Sequence, residues 1–133
     1  MKMEILKMKK CFLTQRGPRA IGPYSTATVH GNTCYLSGML GVDPETGTLA
    51  GTDVESQAKQ ALENMKTVLQ ELGLTMGAVL KTTVFLADLN DFGCVNAIYA
   101  DFFGADFPAR SCVQVARLPM DALVEVEAVA AMD

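Results

Sequence analysis

The longest regular pattern in the chain is a stripe of apolar residues at spacings of three and four, which predicts an amphipathic helix over residues 54–72. Thr52 and Glu55 stand beside the start of the stripe in the T-x-x-E spacing of a capping box. Gly73 follows the last apolar position and is a natural C-terminal stop. One face of this helix is therefore expected to pack against a core.

A second apolar stripe predicts a helix over residues 92–103, with Asn90 or Asp91 as its cap and Gly104 at its end. Short stretches rich in β-branched and aromatic residues, bounded by turn residues, are typical of strands. Such stretches lie at residues 11–13, 27–30, 33–36, 82–86, 109–116 and 123–130.

The resulting order of elements is β-β-β-α-β-α-β-β. It predicts an α+β fold in which two helices cover one face of a six-stranded mixed sheet. Two helices cannot cover both faces, and with 20% charged residues the chain is poorly equipped to solvate the other face. We therefore expect an oligomer that buries the second face. A single domain is expected over residues 10–133, after an N-terminal tail of residues 1–9.

Composition narrows the class of protein. The chain has 133 residues, of which 50% are hydrophobic, as in one globular domain. Its formal net charge of −4 opposes binding to nucleic acid. No apolar run reaches the length of about 18 residues that a membrane span needs, and residues 1–10 lack the apolar region of a secretory signal. A cytoplasmic protein without a membrane partner is therefore expected.

Several kinds of catalytic centre are excluded because the required residues are missing. His30 is the only histidine, so neither a histidine-based zinc site nor a serine–histidine–aspartate triad is expected. The four cysteines are scattered and are expected to be buried free thiols. Neither G-x-x-x-x-G-K-[ST] nor G-x-G-x-x-G occurs, so the sequence has no phosphate-binding fingerprint. We expect a function that uses no metal, no nucleotide-binding fingerprint and no histidine base.

The last two predicted strands carry charged residues in apolar surroundings. Alternation places Arg110 and Cys112 on one face of their strand. In the next strand Glu125 and Glu127 share a face. These charged side chains either pair with each other, face solvent, or bind a ligand. If the two strands form a hairpin around Pro119, Arg110 and Glu125 lie about 16 Å apart and can meet only between subunits. The planar guanidinium would then be available to bind a carboxylate through two parallel hydrogen bonds.

Motifs spread over most of the chain resemble the RidA (YjgF-type) family of imine and enamine deaminases, also called the L-PSP endoribonuclease family. They are IGPYS at residues 21–25, LSG at 36–38, KTTVFL at 81–86, VNAIY at 95–99, FPARS at 107–111, VARLP at 115–119 and VEVEA at 124–128. Each motif alone is weak, but their order and spacing between about residues 10 and 131 make the set specific.

The resemblance implies a chorismate-mutase-like fold, a homotrimer, and three ligand clefts between subunits. It also implies hydrolysis of 2-iminobutanoate and 2-iminopropanoate, or their enamine forms, to 2-keto acids and ammonia without a cofactor. The family's catalytic positions fall on Arg110, as the carboxylate anchor, and on Glu125. Glu125 is expected to position the attacking water together with the backbone of Cys112.

Four more residues fall on positions that bind substrate in the family. Tyr24 is expected to wall the pocket, Ser37 to line it, the Gly38 amide to help hold the carboxylate, and Asn96 to add a polar contact. Without the resemblance, Tyr24 would be interpreted as a turn residue and Asn96 as an exposed helix position. Many relatives have glutamine where this chain has Met39, and an apolar residue there is expected to reshape the cleft mouth.

Two other functions stay open from the sequence. One is a non-catalytic trimer that binds small keto or amino acids as a sensor or regulator. The other is an endoribonuclease or translation inhibitor. The acidic balance, the absence of a histidine pair and the lack of a basic–aromatic stripe argue against this last function.

Overall fold

A six-stranded mixed sheet is the centre of the structure, a computed structural model that describes residues 8–133. The elements in chain order are β1 (Lys10–Phe12), β2 (Ala27–His30), β3 (Thr33–Leu40), α1 (Val54–Glu71), β4 (Val79–Leu86), α2 (Phe92–Phe103), β5 (Ala109–Gln114) and β6 (Val124–Ala131). This order confirms the predicted alternation of strands and helices. The predicted tail of residues 1–9 lies, except for its last two residues, outside the described residues.

The strands lie in the order β1-β2-β3-β6-β4-β5 across the sheet, with only β4 and β5 parallel. The hairpin of the last two strands that was assumed in estimating the distance from Arg110 to Glu125 is therefore not formed. Burial explains the difference, because Val124, Val126 and the alternate positions beyond them are almost fully buried and suit a central strand. β5 is mostly exposed and lies at the edge, where α2 provides the crossover that a parallel partner needs.

Both helices cover the same face of the sheet. Val84 and Val126, paired between β4 and β6, are fully buried on that side, and α1 packs on β3 and β6. The alternate positions of the strands point the other way, where Tyr35 is 51% and Val113 45% exposed. Within the described part of the chain, this second face has no covering layer, as the helix count predicted.

The first helix begins at Val54 as predicted, but its N-cap lies one residue later than predicted. Asp53, and not Thr52, is the N-cap residue, and its carboxylate accepts a hydrogen bond of 2.9 Å from the Ser56 N–H. The predicted capping box of Thr52 and Glu55 is therefore wrong, since the aspartate is an equally good acceptor one position further on. Gly73, with φ of 79°, ends the helix region as predicted.

The second helix has the predicted position but lacks a side-chain cap. Asp91 precedes α2 without making a capping hydrogen bond. A short 3₁₀ turn leads into the helix instead, and the Asp88 carboxylate accepts from the Asn90 N–H at 2.9 Å. Gly104, with φ of 73°, ends α2 as predicted. No helix within residues 8–133 is long and apolar enough to cross a membrane.

Two buried amide side chains of α1 fix the backbone that surrounds the end of β3. The side-chain amide of Asn64 donates to the carbonyl oxygens of Leu40 at 3.0 Å and Val42 at 2.8 Å. The side-chain carbonyl of Gln57 accepts from the Leu123 N–H at 2.8 Å. Because both amides are buried, these hydrogen bonds replace water for backbone groups that would otherwise be unsatisfied. Leu40 and Val42 also line the cleft described next.

Candidate active site

An open cleft of about 620 Å³ lies beside β3 and β6, on the side of the sheet that carries the two glutamates of β6. Four of the residues predicted from the sequence line it: Tyr24, Ser37, Gly38 and Glu125. They come from three separate segments of the chain. A loop of residues 18–24, here called the tyrosine loop, provides a large part of the lining.

A β-bulge places the β3 residues of the cleft. The pairing of β3 with β6 shifts between Leu36 and Met39, at the positions of Ser37 and Gly38. A Cβ atom on residue 38 would lie 2.5 Å from Oε2 of Glu125, which is too close for any real contact. Glycine is therefore required at this position if the Glu125 carboxylate is to lie against the bulge.

The surroundings of Glu125 favour its neutral form. Burial raises the pKa of its carboxyl, and the nearby charge of Glu127 raises it further. A carboxylate with a raised pKa accepts a proton more readily near neutral pH than an ordinary glutamate does. The site therefore contains a group suited to take a proton from water.

Hydrogen bonds connect the tyrosine loop to the bulge. The Ser37 hydroxyl donates to the carbonyl of Ser25 at 2.6 Å, and the Ser37 N–H donates to the carbonyl of Thr26 at 2.9 Å. Tyr24 is 49% exposed, and its N–H donates to the Gly22 carbonyl at 2.9 Å. The Ser37 hydroxyl is thus used structurally, while Tyr24 lines the cleft and stays half-exposed.

Arg110 lies outside this cleft, in a cluster formed by the start of β5 and one side of α2. Its Nη1 donates to Oδ1 of Asn96 at 2.7 Å. Its guanidinium carbon lies 5.4 Å from the ring centre of Phe92 and 4.9 Å from that of Tyr99. The Tyr99 hydroxyl is itself hydrogen-bonded to the Thr82 hydroxyl at 2.6 Å. We call Arg110, Asn96, Phe92 and Tyr99 the anchor cluster.

Cys112 shares the face of β5 that carries Arg110, as alternation predicted. Burial raises the pKa of the Cys112 thiol, and the positive charge of Arg110 offsets only part of that rise. The thiol therefore stays protonated at neutral pH and is a poor nucleophile. The contribution predicted for this residue was through its backbone, which does not depend on the thiol.

Arg110 and Glu125 lie on opposite faces of the sheet. Arg110 of β5 pairs with Thr82 of β4, which is fully buried on the helix side. Glu125 pairs with Phe85, which points to the uncovered side. Within residues 8–133 the one salt bridge joins Arg117 to Asp121, so Arg110 does not pair with a glutamate of β6 within one chain. In one chain the predicted residues thus form two separate groups.

Some cleft residues were not predicted as part of the site. Glu127 lines the cleft, and its period-two spacing from Glu125 was a usable signal. Arg19 and Met120 also line it. Met120 and Asp121 both adopt positive φ, of 61° and 53°. Aspartate tolerates this conformation, but the residue type of Met120 gives no signal for it.

Two expectations concern individual side chains. Met39 lines the cleft, as its position after Gly38 predicted, but it is only 5% exposed and belongs to the hydrophobic core. The pairing of Met39 with Val126 after the bulge turns it towards the helices. All cysteines are free, but only Cys34 is buried, and Cys11 is exposed on the edge strand β1.

The chain is similar to known proteins over nearly its whole length. Residues 14–132 match the family model of endoribonuclease L-PSP. A 2-iminobutanoate/2-iminopropanoate deaminase of Salmonella typhimurium is 51% identical over 126 residues, covering 92% of this chain and 98% of the relative. A RutC family protein of Pyrococcus horikoshii is 44% identical over 123 residues, covering 92% and 98%. The crystal structure of E. coli TdcF with bound serine gives a TM-score of 0.87 at 46% identity, covering 92% of this chain and 98% of that one.

Proposed function

Because the chain belongs to the endoribonuclease L-PSP family, as its motifs predicted, we propose that it is a cofactor-independent deaminase. It hydrolyses reactive 2-imino acids, with 2-iminobutanoate and 2-iminopropanoate as substrates, to 2-keto acids and ammonia. The names of the deaminase relatives support an enzyme that acts on imines. The TdcF structure with bound serine supports a site for a small amino-acid-like molecule.

The observation that carries the proposal is the complementarity of the two groups of residues. Arg110 is held by Asn96 on one edge and by aromatic rings on its faces, and the rest of its fork has no described carboxylate partner. Glu125 lies in the cleft with a raised pKa. Arg110 can thus bind a carboxylate, and Glu125 can activate a water.

These two groups face opposite sides of the sheet, so a complete site requires two copies of the chain. We place the anchor cluster of one subunit against the cleft of its neighbour in a homotrimer, which gives three shared sites. The uncovered sheet face supports such an assembly, because it exposes the large apolar side chains of Tyr35 and Val113, which a neighbouring subunit would bury. A closed ring of identical interfaces repeats the same shared site at each boundary.

The reaction at this site needs only orientation and one proton acceptor. Arg110 binds the substrate carboxylate, and Glu125 takes a proton as water attacks the imine carbon. Glu125 passes this proton to the former imine nitrogen, which gives the carbinolamine. Glu125 then takes the carbinolamine hydroxyl proton and delivers it to the amine nitrogen as the C–N bond breaks, the C=O bond forms and ammonia leaves. An activated imine already reacts with water, and a thousandfold acceleration corresponds to only about 4 kcal/mol, which orientation alone can supply.

The test measures keto-acid release from an imine generated in situ by a dehydratase. Arg110→Ala should abolish acceleration over the uncatalysed reaction, whereas Lys66→Ala, which removes an exposed cation of α1, should not change it. Unchanged turnover in Arg110→Ala would contradict the proposal. Glu125→Gln should retain binding of 2-ketobutyrate but lose turnover. Full turnover in Glu125→Gln would contradict the role proposed for Glu125, whereas a wild-type protein that binds 2-ketobutyrate without turnover would indicate a non-catalytic binder.

A further inference from the structure

The C-terminal end of α1 carries an acidic residue where helices favour basic ones. Glu71 is the last residue of α1, and the last turn contains no basic residue. The partial negative charge of a helix C-terminus opposes a carboxylate at this place. Three hydrogen-bond donors from a distant segment of the chain offset this repulsion by binding the Glu71 carboxylate. They are the Thr14 hydroxyl, the Gln15 N–H at 2.9 Å and the Arg16 N–H at 3.3 Å.

Thr14 links this carboxylate to the cleft through further hydrogen bonds. It is 3% exposed, and its hydroxyl oxygen accepts from the Gly17 N–H at 2.8 Å. Its own N–H donates to the Thr26 hydroxyl at 3.0 Å. The Thr26 carbonyl accepts in turn from the Ser37 N–H at 2.9 Å. A continuous series of contacts therefore runs from Glu71 to the bulge that forms the site.

Close packing holds the start of the tyrosine loop on α1. A Cβ atom on Gly17 would lie 2.8 Å from the Thr14 hydroxyl oxygen and 3.2 Å from Cγ2 of Val68. The chain at this point therefore touches the helix directly. The tyrosine loop begins at the next residue and ends at Tyr24, two residues before Thr26. Both of its ends are thus fixed through Thr14.

We propose that Glu71 is a positioning residue that sets the place of the tyrosine loop, and so of Tyr24, without touching substrate. This role rests on the proposed function in so far as the loop forms part of the substrate cleft. Loosening the loop should weaken the binding of substrate. It should affect the proton transfer at Glu125 much less, because Glu125 is held by β6 and by the bulge.

The test compares Glu71→Gln with Glu63→Gln, which removes the same charge from an exposed position of the same helix. The amide introduced by Glu71→Gln offers one acceptor oxygen in place of the carboxylate's two. We expect hydrogen exchange of the backbone amides of residues 14–24 to rise about tenfold or more in Glu71→Gln, and not elsewhere. We expect KM to rise by about three- to tenfold with kcat within about twofold. Glu63→Gln should leave all of these values unchanged.

Two variants of Thr14 give a second, conservative comparison. Thr14→Ser keeps the hydroxyl and should behave like the wild type. Thr14→Val should reproduce the changes of Glu71→Gln, and combining the two should add little because both break the same contact. Unchanged exchange in Glu71→Gln, raised exchange throughout the chain, or raised exchange with unchanged KM would each overturn the proposal. If the wild type releases no keto acid, the proposed function fails, while the exchange measurement still decides whether Glu71 holds the loop.

Discussion

Gly38 is the position where one methyl group most directly disturbs the proposed chemistry. In Gly38→Ala the new Cβ would lie 2.5 Å from Oε2 of Glu125 and 2.8 Å from its Cδ. Ordinary contact needs about 3.4 Å or more, so the carboxylate must retreat by roughly 1 Å, and displacements of this size cost up to about a hundredfold in rate. Because the atoms in conflict belong to a side chain, the backbone of β3 can stay in place.

The assay is keto-acid release from 2-iminobutanoate made in situ. We expect kcat of Gly38→Ala to fall by about ten- to a hundredfold. Gly93→Ala is the matched control, because a Cβ there meets nothing within 4 Å and alanine is the better helix former inside α2. It should keep full activity with equal or greater stability. Full activity in Gly38→Ala would refute the placement of Glu125 as the group that activates water.

Three further substitutions test other parts of the account. Arg110→Lys should lose at least about tenfold in kcat/KM because lysine cannot form the two parallel hydrogen bonds to a carboxylate, and unchanged kcat/KM would contradict the bidentate anchor. Since the folded state raises the pKa of Glu125, the stability contributed by its neutral form is complete at acid pH and lost as the pH rises through that pKa. Glu125→Gln should therefore raise Tm at neutral pH and converge with the wild type in acid, and a pH-independent difference in Tm would refute the assignment. Asn64→Leu should lower the free energy of unfolding, measured in urea, by about 2 kcal/mol or more. The reason is that the carbonyls of Leu40 and Val42 lose their hydrogen-bond donor. A smaller loss would mean that water replaces the amide.

Local patterns in the sequence were sufficient to predict the helices and strands and to tell the buried face of each from its exposed face. The period-two alternation in β6 separates Val124 from Glu125, and the structure buries the first and places the second beside the cleft. The stripe of α1 and the glycine after it likewise depend only on neighbours along the chain. Such patterns involve only residues within one helix or strand, so they can be recognised without knowing how the elements pack together.

Local patterns could not predict which strands pair with each other. A hairpin of β5 and β6 and a crossover from β4 to β5 satisfy the same local pattern, and the choice depends on which strand is buried on both sides by neighbours. The contact of Glu71 with Thr14 joins residues 57 positions apart, and no periodicity relates them. The positive φ of Met120 has no signal in its residue type. These features result from the assembled fold.

The shared site is the central claim, and mixing two inactive variants tests it most directly. Arg110→Ala subunits keep Glu125, and Glu125→Gln subunits keep Arg110. When they are unfolded and refolded together in equal amounts, random assortment gives an intact Arg110 next to an intact Glu125 in about a quarter of the sites. We predict recovery of about a quarter of the wild-type rate, and none when either variant is mixed with the double variant. A mixture that stays as inactive as its components would contradict a site built from two subunits.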